Sequence, residues 1–328
     1  HFEWLGISAL YLGPLFESTA HGYDTADYYS VDRRLGTNQT LTNLVEALHQ
    51  RGIRVILDGV FNHVGRDFWA FRDLQRHGQQ SEYKDWFAGL NFDQRSQFGD
   101  PFSYEGWNGH KSLVKLNTHH PGVREHLLNA VSRWIEWFDI DGLRLDVADV
   151  LDLEFQKALA AHCQSLKPDF WLMGEVIHGD YRRWVNHTTL DSVTNYTCYK
   201  ALFSSHNDAN YYEIAYELDR LFGANGIYQD LHLYNFVDNH DVDRLASALN
   251  QPRHLPLVYM LLFTMPGIPS IYYGSEFGIH GKRRSGALGG AGAWARQLPG
   301  GADRRANDAD GRHRRGARGR WRLTFHES

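Results

Sequence analysis

Short apolar segments and amphipathic helical segments alternate along most of this chain, and this alternation restricts its fold more than any other feature. The strand-like segments are residues 7–16, 53–63, 142–147, 170–177, 192–199, 231–240 and 268–276. The helical patterns between them are residues 41–52, 123–138, 153–166, 211–223 and 255–265. Alternation of this kind predicts a parallel sheet whose strands are connected by crossover helices.

The seven predicted strands suggest an α/β fold of the (β/α)8 TIM-barrel type that lacks strand 1 and the last helix. The opening residues 1–14 have the pattern of a helix end entering a strand, so an upstream unit is expected to be missing. An open doubly wound sheet is the alternative, but no Gly-rich phosphate loop follows any predicted strand. Residues 1–281 are predicted to form the incomplete barrel, with residues 64–120 as an irregular insertion after strand 3.

Residues 282–328 differ from the rest of the chain, with 11 Arg and 1 Lys against 4 acidic residues. This basic tail has neither helical nor strand periodicity. Basic arms often bind nucleic acid, but no interleaved aromatic residues support that here, and no nucleic-acid partner is expected. Because the segment is rich in Ala, Gly and Arg, we interpret it as the product of a reading-frame shift in a GC-rich gene, which resequencing would test.

Composition excludes several other classes of protein. The two cysteines, Cys163 in a helical pattern and Cys198 in a strand-like one, do not imply a disulfide framework. No apolar run reaches the roughly 18 residues of a membrane span, so no membrane partner is expected. No signal peptide is visible. Localisation stays open with the cytoplasm favoured, and the oligomeric state also stays open.

Polar residues follow the apolar run at the ends of four predicted strands, 3, 4, 5 and 7, which is where barrel enzymes carry their active groups. They are Asp58, Asn62 and His63; Arg144, Asp146 and Asp149; Glu175 and His178; and Asn239, His240 and Asp241. Each residue alone could be a structural polar group. Four such groups at strand ends of one barrel indicate one shared pocket.

Asp146 and Glu175 have the placement that a two-carboxylate reaction needs. Neighbouring strands lie about 4.8 Å apart, so the two carboxyls could be about 5 Å apart, as in retaining glycosidases. Arg144 lies on the same side of its strand as Asp146 and is expected to keep it ionised as a nucleophile. The apolar run before Glu175 is expected to keep that carboxyl protonated as an acid.

These segments resemble the α-amylase family, glycoside hydrolase family 13, over roughly residues 1–281. The four matching signatures are DGVFNH (58–63), GLRLDVADV (142–150), GEVIH (174–178) and FVDNHD (236–241). HGYDTADYYSVD (21–32) is similar to the family's loop after strand 2. VKLN (114–117) is similar to a short signature in its insertion, although Leu113-Val114 stands where Pro or Met is usual.

The resemblance implies a role for each matching residue. Asp146 would be the nucleophile, with Arg144 paired to it, and Glu175 the acid/base. Asp241 would bind the sugar 2- and 3-hydroxyls. The remaining substrate contacts would be Tyr23, stacked on the cleaved sugar, together with His63, His178 and His240.

The resemblance also implies a structural Ca²⁺ in many relatives, bound through the position of Asn62 and carboxylates of the insertion. Asp93 and Asp100 are available there. Other relatives lack the site, and a side-chain hydrogen bond shaping the loop is the alternative for Asn62. No cofactor is expected for the chemistry itself.

The predicted activity is retaining hydrolysis of α-1,4-glucosidic bonds in maltodextrins or starch-like glucans. The short insertion and VKLN favour the maltogenic amylase, cyclomaltodextrinase and neopullulanase group, with plain α-amylase nearly as favoured. The alternatives are an α-glucosyl transferase or isomerase on the same scaffold, a binding subunit without activity, and an inactive truncated relative. All three acidic residues are present, which argues against the binding subunit.

Overall fold

The computed structural model describes residues 1–283. Its strands are β1 (Ala9–Leu12), β2 (Phe16–Ser18), β3 (Thr25–Val31), β4 (Arg54–Gly59), β5 (His63–Gly65), β6 (Gly106–Trp107), β7 (His110–Lys115), β8 (Gly142–Leu145), β9 (Trp171–Gly174), β10 (Ser192–Val193), β11 (Tyr234–Asn235) and β12 (Ile268–Pro269). Its α-helices are α1 (Phe2–Leu5), α2 (Asn38–His49), α3 (Trp69–His77), α4 (Pro121–Phe138), α5 (Leu153–Leu166), α6 (Tyr196–Asn207), α7 (Tyr212–Phe222), α8 (Leu245–Ala248) and α9 (Leu255–Thr264).

Seven parallel strands form the central sheet in the order in which they occur along the chain. The order β1-β4-β8-β9-β10 is continuous, and β11 pairs with β12. A parallel bridge between Thr194 and Tyr234 joins the two groups. α-Helices lie between successive strands of this run, except between β9 and β10. This is the order of a (β/α) barrel, so the predicted fold class is confirmed. Within the described residues, β1 and β12 are the outer strands of the run.

The helices begin and pack as their sequences dictate. Thr37 caps α2 through a capping box with Thr40, and the apolar stripe Leu41, Val45 and Leu48 is buried against the barrel. α4 begins with Pro121 at its first position, where a missing N–H costs nothing. Central strands β4 and β8 are almost wholly buried, as expected where helices cover a parallel sheet.

One predicted strand is wrong in its second half. Residues 192–199 were expected to be extended, but β10 ends at Val193 and α6 begins at Tyr196. Asn195 causes the change, because its side-chain oxygen accepts the Cys198 N–H and caps the helix. Cys198 is therefore helical rather than strand-like, and both cysteines are free and buried. The segments 231–240 and 268–276 contain only the two-residue strands β11 and β12.

The insertion at 64–120 is more regular than predicted. It holds α3 and, together with β5, a three-stranded antiparallel sheet in the order β5-β7-β6. Its small core is aromatic, since the rings of Phe87, Phe102 and Tyr104 pack edge-on against Phe71. This core gives the insertion a fixed shape beside the carboxyl ends of the strands. Of the predicted basic tail, residues 284–328 lie outside the described residues.

Candidate active site

The predicted polar residues meet at the carboxyl ends of β4, β8 and β9. Asp58 on β4 is paired in register with Arg144 on β8, so the two side chains share one face of the sheet. Asp146 follows the end of β8, and Glu175 directly follows β9. All four are buried. Strand register therefore places three carboxyl groups around one guanidinium.

Arg144 contacts each of these three carboxyls. Its Nη1 donates to Asp58 Oδ1 at 2.9 Å and to Asp146 Oδ1 at 2.8 Å. Its Nη2 lies 2.7 Å from Glu175 Oε2. A single guanidinium thus bridges the two residues predicted to perform the reaction, and both belong to one site.

The electrostatics of Asp146 differ from the expectation. Burial raises the pKa of the Asp146 carboxyl well above its ordinary value; Arg144 opposes the rise, and Glu175 and Asp58 add to it. Arg144 therefore offsets only part of the rise in the Asp146 pKa, because one cation is shared among three buried acids. Burial lowers the pKa of Arg144 itself, but Asp58 and Glu175 outweigh it and raise that pKa well above its ordinary value.

Glu175 also differs from its predicted setting. Leu172 and Met173 before it are buried in β9. The Glu175 carboxyl itself, however, contacts the Arg144 cation and the backbone N–H of Val147, at 3.1 Å. Val147 has φ +44°, a conformation that is rare for a β-branched residue. Strain of this kind costs about 1–3 kcal/mol and is common at functional sites. Here it occurs in the residue whose N–H reaches Glu175.

Tyr23, His240 and Asp241 form a second group beside the carboxyls. The Tyr23 hydroxyl donates to Asp58 Oδ2 at 3.0 Å and lies 2.7 Å from His240 Nε2. His240 Nε2 lies 3.2 Å from Asp241 Oδ2, and the Asp241 side chain is one-third exposed. This chain of contacts connects Asp58 to the accessible Asp241 carboxylate, so the three acidic residues of the prediction belong to one connected site.

His63 lies on the other side of Asp146. Its Nε2 is 3.9 Å from Asp146 Oδ2 and has no hydrogen-bond partner among the described residues. Burial lowers the His63 pKa to about 3, so the ring is neutral at ordinary pH. A buried polar atom without a partner is unusual, and a ligand hydroxyl would satisfy it. The Trp107 ring from the insertion stands 5.6 Å from the His63 ring.

The structure does not place His178, a predicted substrate contact, in the site. It is exposed after β9 and, within residues 1–283, makes none of the site's hydrogen bonds or ion pairs. Conversely, Tyr11, Trp107, Val147 and Tyr196 were not predicted. Tyr11 donates to Asp58, and both Glu175 and Asp241 raise the pKa of Tyr196 in addition to its burial. Asp58 itself was among the polar residues predicted at strand ends, as the first residue of the DGVFNH signature.

The residues expected to hold calcium do not fit that ion. Asn62 Nδ2 contacts His63 Nδ1 at 3.2 Å, and Asp93 is exposed. Asp100 is bound by Arg66, whose Nη1 and Nη2 donate to its two oxygens at 2.7 and 3.0 Å. The guanidinium occupies the place of a cation at this carboxylate. Among the described residues, no group of three or more His, Cys, Asp or Glu is placed to hold a metal.

Arg66→Gln is expected to destabilise the protein by about 2–4 kcal/mol, because it leaves the largely buried Asp100 carboxylate without its cation. Arg72→Gln is the matched control: it breaks the exposed pair with Asp67 and should cost less than about 1 kcal/mol. Thermal unfolding with and without EDTA measures both effects. An EDTA-induced fall in the wild-type Tm would contradict the assignment of Arg66 as the cation.

A barrel of parallel strands with acidic side chains gathered at their carboxyl ends is the arrangement of a barrel enzyme. The family model for the α-amylase catalytic domain matches residues 2–314. The chain therefore belongs to the α-amylase family, which confirms the resemblance found in the sequence. The match extends beyond the boundary predicted at residue 281.

Similar proteins agree with this assignment. A cyclomaltodextrinase from Bacillus sp is 37% identical over 285 residues, covering 86% of this chain and 51% of that protein. The intracellular maltogenic amylase of Bacillus subtilis (strain 168) is 34% identical over 287 residues, covering 86% and 48%. The chain thus spans about half the length of these curated relatives.

Among solved structures, the ligand-free cyclic α-maltosyl-(1→6)-maltose hydrolase from Arthrobacter globiformis superposes with a TM-score of 0.79 at 32% identity. The match covers 88% of this chain and 66% of that one. As to membranes, no helix in residues 1–283 has both the length and the apolar character needed to span a bilayer.

Proposed function

We propose that this chain carries the catalytic barrel of a retaining glycosidase that hydrolyses α-1,4-glucosidic bonds in maltodextrin-like glucans. The observation that carries the proposal is the contact of one buried guanidinium with both Asp146 and Glu175. Residues 1–281 are the proposed catalytic unit, with residues 64–120 as its insertion. The names of the similar cyclomaltodextrinase and maltogenic amylase support an α-glucan substrate.

In the proposed first step, the Asp146 carboxylate attacks the anomeric carbon while Glu175 gives a proton to the departing glycosidic oxygen. A covalent glycosyl-enzyme forms, and the shortened glucan leaves. In the second step Glu175 takes a proton from water, which attacks the same carbon and releases Asp146. Two opposite displacements retain the α-configuration, and the side chains described supply all the proton transfers.

The cycle needs the two carboxyls in opposite states. One guanidinium faces three buried carboxyls, and burial raises the pKa of Asp146 well above its ordinary value. The reaction requires an ionised Asp146 and a protonated Glu175 when the sugar is bound. The accessible Asp241 carboxylate and the unpartnered His63 Nε2 are the proposed contacts for sugar hydroxyls, with Tyr23 and His240 between them. His178 remains a proposed contact only for sugar units outside the central pocket.

Product analysis tests the function. Maltotriose, longer maltooligosaccharides and β-cyclodextrin are incubated with the wild type and with Glu175→Gln, and the products are separated by chromatography. The proposal expects smaller maltooligosaccharides from the wild type, with the α-anomer first in NMR spectra taken early in the reaction. Products longer than the substrate would instead indicate glucosyl transfer. A β-anomer formed first would exclude retention.

The similarity to an intracellular relative favours a cytoplasmic location.

A further inference from the structure

Tyr11 lies beneath the site, and the proposed reaction does not use it directly. It is on β1, where it is paired in register with Ile56 of β4. Asp58 is two residues further along β4, so the Tyr11 and Asp58 side chains share a face of the sheet. The Tyr11 hydroxyl donates to Asp58 Oδ2 at 2.7 Å, a shorter bond than the 3.0 Å bond from Tyr23.

Asp58 depends on these two hydroxyls for its orientation. Its side chain has no exposed surface, so water cannot replace a lost donor. Its remaining bonds come from Arg144 Nη1, at 2.9 Å to Oδ1 and 3.2 Å to Oδ2. Burial raises the Tyr11 pKa well above its ordinary value, so this hydroxyl stays protonated and keeps donating.

Arg144 connects the Tyr11–Asp58 bond to the reacting carboxyls. Nη1 of Arg144 is shared between Asp58 and Asp146, and Nη2 serves Glu175. If Asp58 loses the Tyr11 donor, its carboxylate should bond Nη1 more strongly. The hydrogen bond from Nη1 to Asp146 should then weaken. A small turn of the guanidinium would also displace Nη2 from Glu175.

We propose that Tyr11 is a positioning residue for the reaction: it holds the Asp58 carboxylate so that Arg144 keeps its place between Asp146 and Glu175. This inference rests on the proposed function. Tyr11 contacts neither reacting carboxyl in the described structure, so its removal should affect the rate of the reaction more than substrate binding.

The test compares Tyr11→Phe with Tyr234→Phe. Tyr234, on β11, also lies within electrostatic reach of Arg144 but makes no hydrogen bond to Asp58 among the described residues, which makes it a matched control. On maltotriose, Tyr11→Phe is expected to lower kcat about tenfold and to change KM by less than about twofold. Tyr234→Phe should leave both unchanged. Thermal unfolding should show similar Tm values for the two variants.

A pH profile separates positioning from a structural role. Asp146 must be ionised to attack, and in Tyr11→Phe its stabilising hydrogen bond from Arg144 should be weaker. The acid limb of kcat/KM should therefore move to higher pH in Tyr11→Phe and stay in place in Tyr234→Phe. If the wild type hydrolyses glucans and Tyr11→Phe matches it in kcat and in pH profile, or both Phe variants lose kcat equally, the role of Tyr11 is overturned. A wild type that releases no product overturns the proposed function, and this role with it.

Discussion

Asp146→Asn is expected to lower kcat on maltotriose by about 10⁴-fold or more, because an amide cannot form the covalent glycosyl-enzyme. KM should change little. The variant should unfold at the same or a higher Tm than the wild type. Burial raises the pKa of Asp146 well above its ordinary value, so holding this group ionised costs folding free energy. That cost grows as pH rises from the unfolded-state pKa to the folded-state pKa, is constant above it, and is absent in the amide.

Asp191→Asn is the matched control for this experiment. Burial also raises the pKa of Asp191, and its Oδ2 accepts the Leu172 N–H at 2.7 Å. It precedes β10 and so lies at the amino ends of the strands, away from the site. An amide oxygen can still accept that bond, and activity should stay within about twofold of the wild type. Undiminished turnover in Asp146→Asn would exclude Asp146 as the nucleophile.

Glu175→Gln is expected to lower kcat on maltotriose by about 10²–10⁴-fold, the usual range for loss of a general acid/base. The loss should depend on the leaving group. With α-maltosyl fluoride the departing fluoride needs no proton, so the first displacement should proceed nearly as in the wild type. The glycosyl-enzyme should then accumulate, because no base activates water, and a burst of fluoride release would measure it.

Added azide distinguishes the two carboxyls by stereochemistry. In Glu175→Gln, azide needs no base and should attack the glycosyl-enzyme, displacing Asp146 and giving the α-glycosyl azide. In Asp146→Asn, azide can only displace fluoride directly, which gives the β-glycosyl azide. An α-azide from Asp146→Asn, or a fluoride rate in Glu175→Gln reduced as much as the maltotriose rate, would contradict the assigned roles.

The strain at Val147 and the burial of the Asp146 carboxyl have a common consequence. Both cost folding free energy, and both occur where the two reacting carboxyls meet. The aromatic core of the insertion and the Arg66–Asp100 pair lie beside this region and hold β5, which carries His63. The surrounding structure thus stabilises a site that is unfavourable by itself.

Local sequence patterns were enough to predict the fold class and the main candidates for the site. Strand and helix periodicity are local properties, and polar residues after an apolar run locate a strand end without coordinates. Asp58, Arg144, Asp146, Glu175 and Asp241 could therefore be found from their positions along the chain. The limits of β10 and the start of α6 could not, because one side-chain cap at Asn195 outweighed the extended pattern around it.

The sharing of charge among the site residues, in contrast, depends on how distant segments pack. Strand register placed Arg144 against three acids, and burial reversed the expected effect on Asp146. It also gave Tyr11 a partner 47 residues away along the chain and left His178 exposed. Electrostatic energies depend on distance and on exclusion of water, and neither quantity is defined until distant segments of the chain have packed together.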